Sequence, residues 1–108
     1  MMNLENVVRI GDLLERYGGL LSERTRVCAV RYYHEDWTLA EIAEELGISR
    51  QAVHDHLQRG GDQLEQFEQV LGLLRRRDER ARAADALLAV MSPDERLRYA
   101  QAIRALAE

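Results

Sequence analysis

Apolar residues recur along this chain at intervals of three and four, without strand-like alternation, and that spacing predicts helices throughout. The clearest stretch is Thr38 to Gln58, TLAEIAEELGISRQAVHDHLQ. Leu39, Ile42, Ala43 and Leu46 fall at i, i+3, i+4 and i+7, one apolar stripe on a helix whose other side holds Glu41, Glu44 and Glu45. Thr38 is placed to cap its start, and Glu41, three residues on, completes a capping box. Gly47 supplies the left-handed exit that a Cβ would hinder. Ile48 fills the bend, Ser49 caps a second helix, and Val53 and Leu57 turn an apolar ridge back onto the first, with Ala43 small at the crossing. Two short helices joined in this way read as a helix-turn-helix at 38–58, whose second helix is shaped for the major groove of DNA. A plain helical hairpin is the competing reading.

The flanking segments follow the same rule. A first helix is expected from Asn3 to Tyr17, with Val7, Ile10, Leu14 and Tyr17 on one face, ended by Gly18 and Gly19. Leu20 and Leu21 are expected to fill the corner, and Ser22 to cap a helix with Cys28, Ala29, Tyr32 and Tyr33 inward. Tyr33 and Trp37 read as core aromatics rather than a base-stacking platform. Beyond Leu57, the residues Leu64, Phe67, Leu71 and Leu74 form a 3-4-3 seam that pairs two helices, within one chain or between two copies. Gly60 and Gly61 precede it, and each costs a helix about 1 kcal/mol relative to alanine, so a bend or break is expected there. Ala84, Leu87, Leu88 and Met91 give a further apolar stretch. Ser92 and Pro93 suit the N-cap and first position of a last helix lined by Leu97, Ala100, Ile103 and Leu106, a tail built to pack. The sum is an all-α protein: a single helical domain over 1–108, with the helix-turn-helix at 38–58 and a C-terminal helical extension at 62–108.

Composition narrows the function classes. At 108 residues and 46% hydrophobic, the chain has length for one core. It has neither an apolar run of membrane-spanning length nor a secretory signal at its start, so a cytoplasmic location is expected. A lone cysteine, Cys28, excludes an internal disulfide and reads as a small core residue. The net charge of −4 opposes the basic footprint usual in a DNA-binding domain. Between Leu20 and Gly60 five arginines face seven acids. All fifteen basic residues are arginine, a choice that favours bidentate phosphate contacts and that genomic composition explains equally well. The one concentrated basic run is RRRDERAR, in which Arg75, Arg76, Arg77, Arg80 and Arg82 form either a solvated face laced with ion pairs or a grip for nucleic acid or another partner.

With Val53 and Leu57 inward, Gln51, His54, Asp55 and Gln58 face out, and Ser49 and Arg50 stand at the helix start. These six are the candidate DNA contacts. Gln51 suits a bidentate contact to adenine and Arg50 suits guanine or phosphate, each good base contact being worth about 1 to 3 kcal/mol of discrimination. Ser49 and the free N–H groups behind it suit a phosphate. Asp55 suits a cytosine amino group but repels the backbone. His54 and His56, two apart on one helix, diverge by about 200° and make a poor shared metal site. No phosphate-binding loop or nucleophile motif appears, so a binding protein rather than an enzyme is expected, with no cofactor and no metal.

Three segments, YGGLLSERTR at Tyr17 to Arg26, RYYHEDWTLAEIAEELGISRQAVHDHLQR at Arg31 to Arg59, and the helical stretch after them, resemble the YlxM-like family of small bacterial helix-turn-helix proteins. The tyrosine-glycine corner, the paired tyrosines before an acidic turn and the SRQAV helix start occur in the same order at compatible distances. More loosely, the same core is similar to region 4 of bacterial sigma factors. The resemblance implies an all-helical homodimer linked to the signal recognition particle pathway, with that particle's protein or RNA as partner. His54 and His56 stand where the family often has tyrosine and asparagine, and Gly60 and Gly61 replace helix-favouring residues.

Overall fold

The computed structural model describes residues 3–108. The three- and four-residue spacing resolves into six α-helices: α1 (Leu4–Tyr17), α2 (Glu23–Ala29), α3 (Leu39–Leu46), α4 (Arg50–Leu71), α5 (Leu73–Ala89) and α6 (Pro93–Ala107). A 3-10 turn, Gly18–Leu20, follows α1, and a π-type turn, Val30–His34, prolongs α2. No strand occurs among the described residues. The chain divides into two compact units, one ending at Leu71 and one spanning Gly72–Glu108. Where the pattern suggested a single domain with an extension from residue 62, the division falls at Gly72, the left-handed residue (φ 64°) that caps α5.

In the first unit α4 is the axis against which α1, α2 and α3 all pack. The stripes meet there: Leu13, Tyr17, Cys28, Ile42, Val53 and Leu64 are fully buried, with Ile10, Leu14 and Leu57 beside them. Polar ties run along the same axis. Arg9 donates to both carboxylate oxygens of Glu65 at 2.7 and 2.8 Å, and the Tyr17 hydroxyl donates to Glu68 at 2.7 Å. Leu21 closes the corner after α1, whereas Leu20, expected beside it, is exposed, because the 3-10 turn directs only one of the pair inward.

The expected break at Gly60 and Gly61 is absent: α4 runs unbroken from Arg50 to Leu71. The glycines serve close approach instead. A Cβ on Gly60 would lie 2.8 Å from the Thr25 Cγ2 methyl of α2, while one on Gly61 would meet Ile10 Cδ1 at an ordinary 3.9 Å. Gly60 is therefore the point where α2 crosses α4, and the packing gained there offsets its helix-propensity cost.

The second unit is α5 packed on α6. Ala84 and Leu88 are buried on α5, and Arg104 of α6 donates to Asp85. Ser92 and Pro93 start α6 as the sequence predicts, with Ser92 and Glu95 forming a full capping box. The tail packs less than its stripe suggested. No residue of α6 is buried, and Leu97 and Leu106 are 86% and 81% exposed. Two helices offer each other one strip of contact, so the remaining apolar positions of α6 stay outside.

Candidate nucleic-acid interface

The helix-turn-helix is built by local chemistry before any packing. Thr38 Oγ1 accepts from Glu41 N at 3.1 Å and Glu41 Oε1 accepts from Thr38 N at 3.0 Å, the reciprocal box that starts α3. Donation to the carboxylate from the Thr38 backbone N–H, and secondarily the nearby Thr38 hydroxyl, favours its ionised form, so the Glu41 pKa lies below its ordinary value. Gly47, at φ 67°, makes the left-handed exit, and its N–H bonds Ala43 O. Ser49 then caps α4 by accepting from Ala52 N at 3.0 Å. Packing fixes the roll of α4: Val53 is 0% and Leu57 5% exposed.

That roll leaves Ser49, Arg50, Gln51, His54, Asp55 and Gln58 all exposed. Within the set, Asp55 is the organising group. Gln51 Nε2 donates to Asp55 Oδ1 at 3.0 Å, and His54 Nδ1 lies 3.7 Å from the same oxygen. The Gln51 amide is thus held by a carboxylate of its own helix. This pair is an i, i+4 spacing visible in the sequence, and its effect on Gln51 emerges only with the geometry.

His56 faces elsewhere, as the divergence of the two histidines predicted. Its Nδ1 lies 3.0 Å from Thr25 Oγ1, beside the α2–α4 crossing. Partial burial, then Arg59 and Arg24, lowers its pKa below the ordinary histidine value, with Asp55 opposing. Cys28 is buried, and burial pushes its thiol pKa up against a weaker pull from Arg24, which suits packing rather than nucleophilic use.

Sequence reasoning did not find the brace behind α3. Arg31 donates to Glu35 Oε2 at 2.7 Å and to Glu45 Oε1 at 3.0 Å, and its guanidinium stands 4.7 Å from the Trp37 ring centroid. It ties the π-type turn to the far end of α3 and gives half-buried Trp37 a cationic partner. The Arg31–Glu35 spacing was readable; the link to Glu45, across the turn, was not.

The expected seam is divided between interior and surface. Leu64 is fully buried within the first unit, Leu74 is buried, Phe67 is half-buried with its ring 6.1 Å from that of Tyr17, and Leu71 is exposed. Leu64 is thus already committed to its own unit and is not presented to a second copy. Of the arginine run on α5, Arg75, Arg76, Arg80 and Arg82 are exposed and Arg77 is half-buried. Arg75 and Arg77 approach Glu79 and Asp78 at 3.9 and 3.7 Å, while Arg76, Arg80 and Arg82 form no ion pair among the described residues. Among those residues there is also no group of three or more metal-ligating side chains, and no helix is long and apolar enough to cross a membrane.

Comparison with known proteins places this geometry in context. Residues 4–103 match the family model described as "UPF0122: Putative helix-turn-helix protein, YlxM / p13 like". A UPF0122 protein of Symbiobacterium thermophilum is 43% identical over 84 residues, covering 78% of each chain. One from Geobacillus kaustophilus is 40% identical over 84 residues, 78% of this chain and 76% of its own. A Bacillus cereus relative is 39% identical over 92 residues, 85% of this chain and 84% of its own.

Proposed function

This chain belongs to the UPF0122 family of YlxM/p13-like helix-turn-helix proteins, and from that premise we propose that it is a regulatory protein that reads duplex DNA with α4. The observation that carries the proposal is the roll of that helix, with Val53 and Leu57 inward and Ser49, Arg50, Gln51, His54, Asp55 and Gln58 all accessible. Ser49, Arg50 and the N-terminus of α4 take phosphate or guanine, and Gln51, His54 and Gln58 meet base edges. Asp55 does two things. It orients Gln51 and repels phosphate, so affinity for arbitrary duplex is weak and discrimination rests on few contacts.

A homodimer is part of the proposal, since two copies related by a two-fold place reading helices about 34 Å apart, one duplex turn. Its support is the exposed apolar surface of the second unit, where Leu87, Val90, Leu97, Tyr99 and Leu106 lie uncovered on the single chain. The test is titration against duplex from the protein's own promoter region and against random duplex, at two salt concentrations. Gln51→Ala is expected to weaken the preferred site by about 1 to 3 kcal/mol while leaving random duplex unchanged; equal loss on both refutes base reading.

A second reading has its own observation. Arg76, Arg80 and Arg82 are exposed on α5 without ion pairs among the described residues, while the helix-turn-helix region is net acidic. On that reading the chain serves the signal recognition particle pathway, with α5 gripping that particle's RNA or protein, and the helix-turn-helix is a scaffold. Salt-sensitive binding to that RNA or to the particle's GTPase, lost on replacing the three arginines and retained in Gln51→Ala, selects it over duplex reading.

A further inference from the structure

Beside the exposed face of α4 lies a groove of about 930 Å³, flanked by the start of α1 and floored from the π-type turn and α3. Its volume falls within the range of small-molecule sites. The floor is apolar and aromatic. Ile10, Tyr33 and Leu57 are buried there, and Tyr32 and Leu39 are half-buried. The two tyrosine rings meet edge to face with centroids 5.0 Å apart. Burial, then the neighbouring Tyr32, raises the Tyr33 pKa to about 12, so that ring stays neutral across the physiological range.

The rim has the opposite character. It carries the carboxylates of Glu5, Asp62 and Glu65 and one guanidinium, Arg9. Arg9 is committed to Glu65 by two short hydrogen bonds. Glu5 and Asp62 form no ion pair among the described residues, so the groove keeps a negative field above its aromatic floor. An anion is repelled by that field, and a small inorganic cation would leave the floor unused. The complementary occupant carries positive charge on an apolar or aromatic body, with rings to attract the cation and carboxylates to hold it.

We propose that this groove binds a small organic cation of that class. His54 and Gln58 stand on its rim as well as on the exposed face of α4. Occupancy is therefore expected to weaken DNA binding, a coupling that rests on the duplex-reading proposal and is separable from ligand binding itself.

The test is isothermal titration of the full chain, without DNA, against tetraphenylphosphonium and tetraphenylborate, ions of like shape and opposite charge. Saturable binding of the phosphonium, with the borate and a Glu5→Gln/Asp62→Asn double variant each weaker by about tenfold or more, is the expected result. Amide NMR shifts should centre on Tyr32, Tyr33 and Leu57, and the variant should keep the parent's circular dichroism. No saturation up to about 1 mM, equal binding of the two ions, or undiminished affinity in the double variant overturns the site. In a second arm, saturating phosphonium should weaken duplex binding about fivefold or more, and unchanged affinity overturns the coupling alone.

Discussion

The two units of this chain are made of similar helices and differ in how much of each helix is used. In the first, α4 meets three neighbours, and stripes from four helices close over Leu13, Ile42, Val53 and Leu64. In the second, α5 packs on α6 as a single pair, and apolar positions on both remain in solvent. The amphipathic pattern is equally plain in both. What differs is the number of neighbours, and a unit of under about 40 residues rarely closes a core without help from a metal, a crosslink or another subunit.

The largest test of the contrast pairs two leucines. Leu64→Ala removes a fully buried side chain and should cost about 2 to 5 kcal/mol in urea unfolding followed at the first unit. Leu97→Ala, at 86% exposure, should stay within about 0.5 kcal/mol in dilute protein, where no second copy covers it. A large cost for Leu97 under those conditions would show that α6 is packed more than the single chain reveals. Sedimentation of a Leu97→Ser/Leu106→Ser variant then sharpens the point, since loss of a dimer with the first unit intact locates the cover on the second.

The adjacent glycines of α4 give a second pair. Gly60→Ala places a methyl 2.8 Å from Thr25 Cγ2, on a β-branched side chain whose hydroxyl is engaged with His56 and which cannot turn away cheaply. The overpacking, about 1 to 3 kcal/mol, outweighs the propensity gain of about 1 kcal/mol, and net destabilisation is expected in thermal or urea melts. Gly61→Ala meets only ordinary contact with Ile10 and should stabilise by up to about 1 kcal/mol. Equal effects would remove the close α2–α4 crossing as the reason for Gly60.

These glycines also mark how far the sequence could be read. Periodicity and capping were local, so the helix-turn-helix, its capping box, the left-handed Gly47 and the outward set around Gln51 were legible from spacing alone. Gly60 and Gly61 were read by the same local rule, as helix breakers. That rule failed because the deciding atom, Thr25 Cγ2, comes from a helix distant in sequence. Arg31–Glu45 and Tyr17–Glu68 were hidden for the same reason. In the tail the stripe of Leu97, Ala100, Ile103 and Leu106 was real, but a stripe states that a surface is apolar and says nothing of what covers it.

Two capping boxes of matching geometry separate local from tertiary stability further. Thr38 with Glu41 and Ser92 with Glu95 each make the reciprocal pair of hydrogen bonds, and in both the carboxyl pKa is lowered, first by the cap residue's backbone N–H and then by its hydroxyl. Thr38→Ala should lower the stability of the whole first unit by about 1 kcal/mol, because α3 is fixed to its core through Ile42. Ser92→Ala should instead fray the start of α6, seen as faster amide exchange there with little change in the first unit.

The smallest expected effect is one of pH, and it too should respect the division, since it arises from His56 in the first unit. The folded pKa of His56 lies below its unfolded value, chiefly through partial burial beside Thr25 and secondarily through Arg59 and Arg24. The unfolded chain then binds the proton more readily than the folded one. Its contribution to stability is fully present above the unfolded histidine value of about 6.5 and is lost as pH falls through the folded one. The Glu41 and Glu95 carboxyls, also lowered, act at more acid pH than the interval from about pH 7.5 to 5, which belongs to histidine, and substitution of His56 alone separates it from His34 and His54. Over it the melting temperature of the first unit should fall, and His56→Gln, which keeps a polar partner for Thr25 without a titrating proton, should flatten the profile. An unchanged slope in that variant would assign the acid sensitivity to groups other than the α2–α4 crossing.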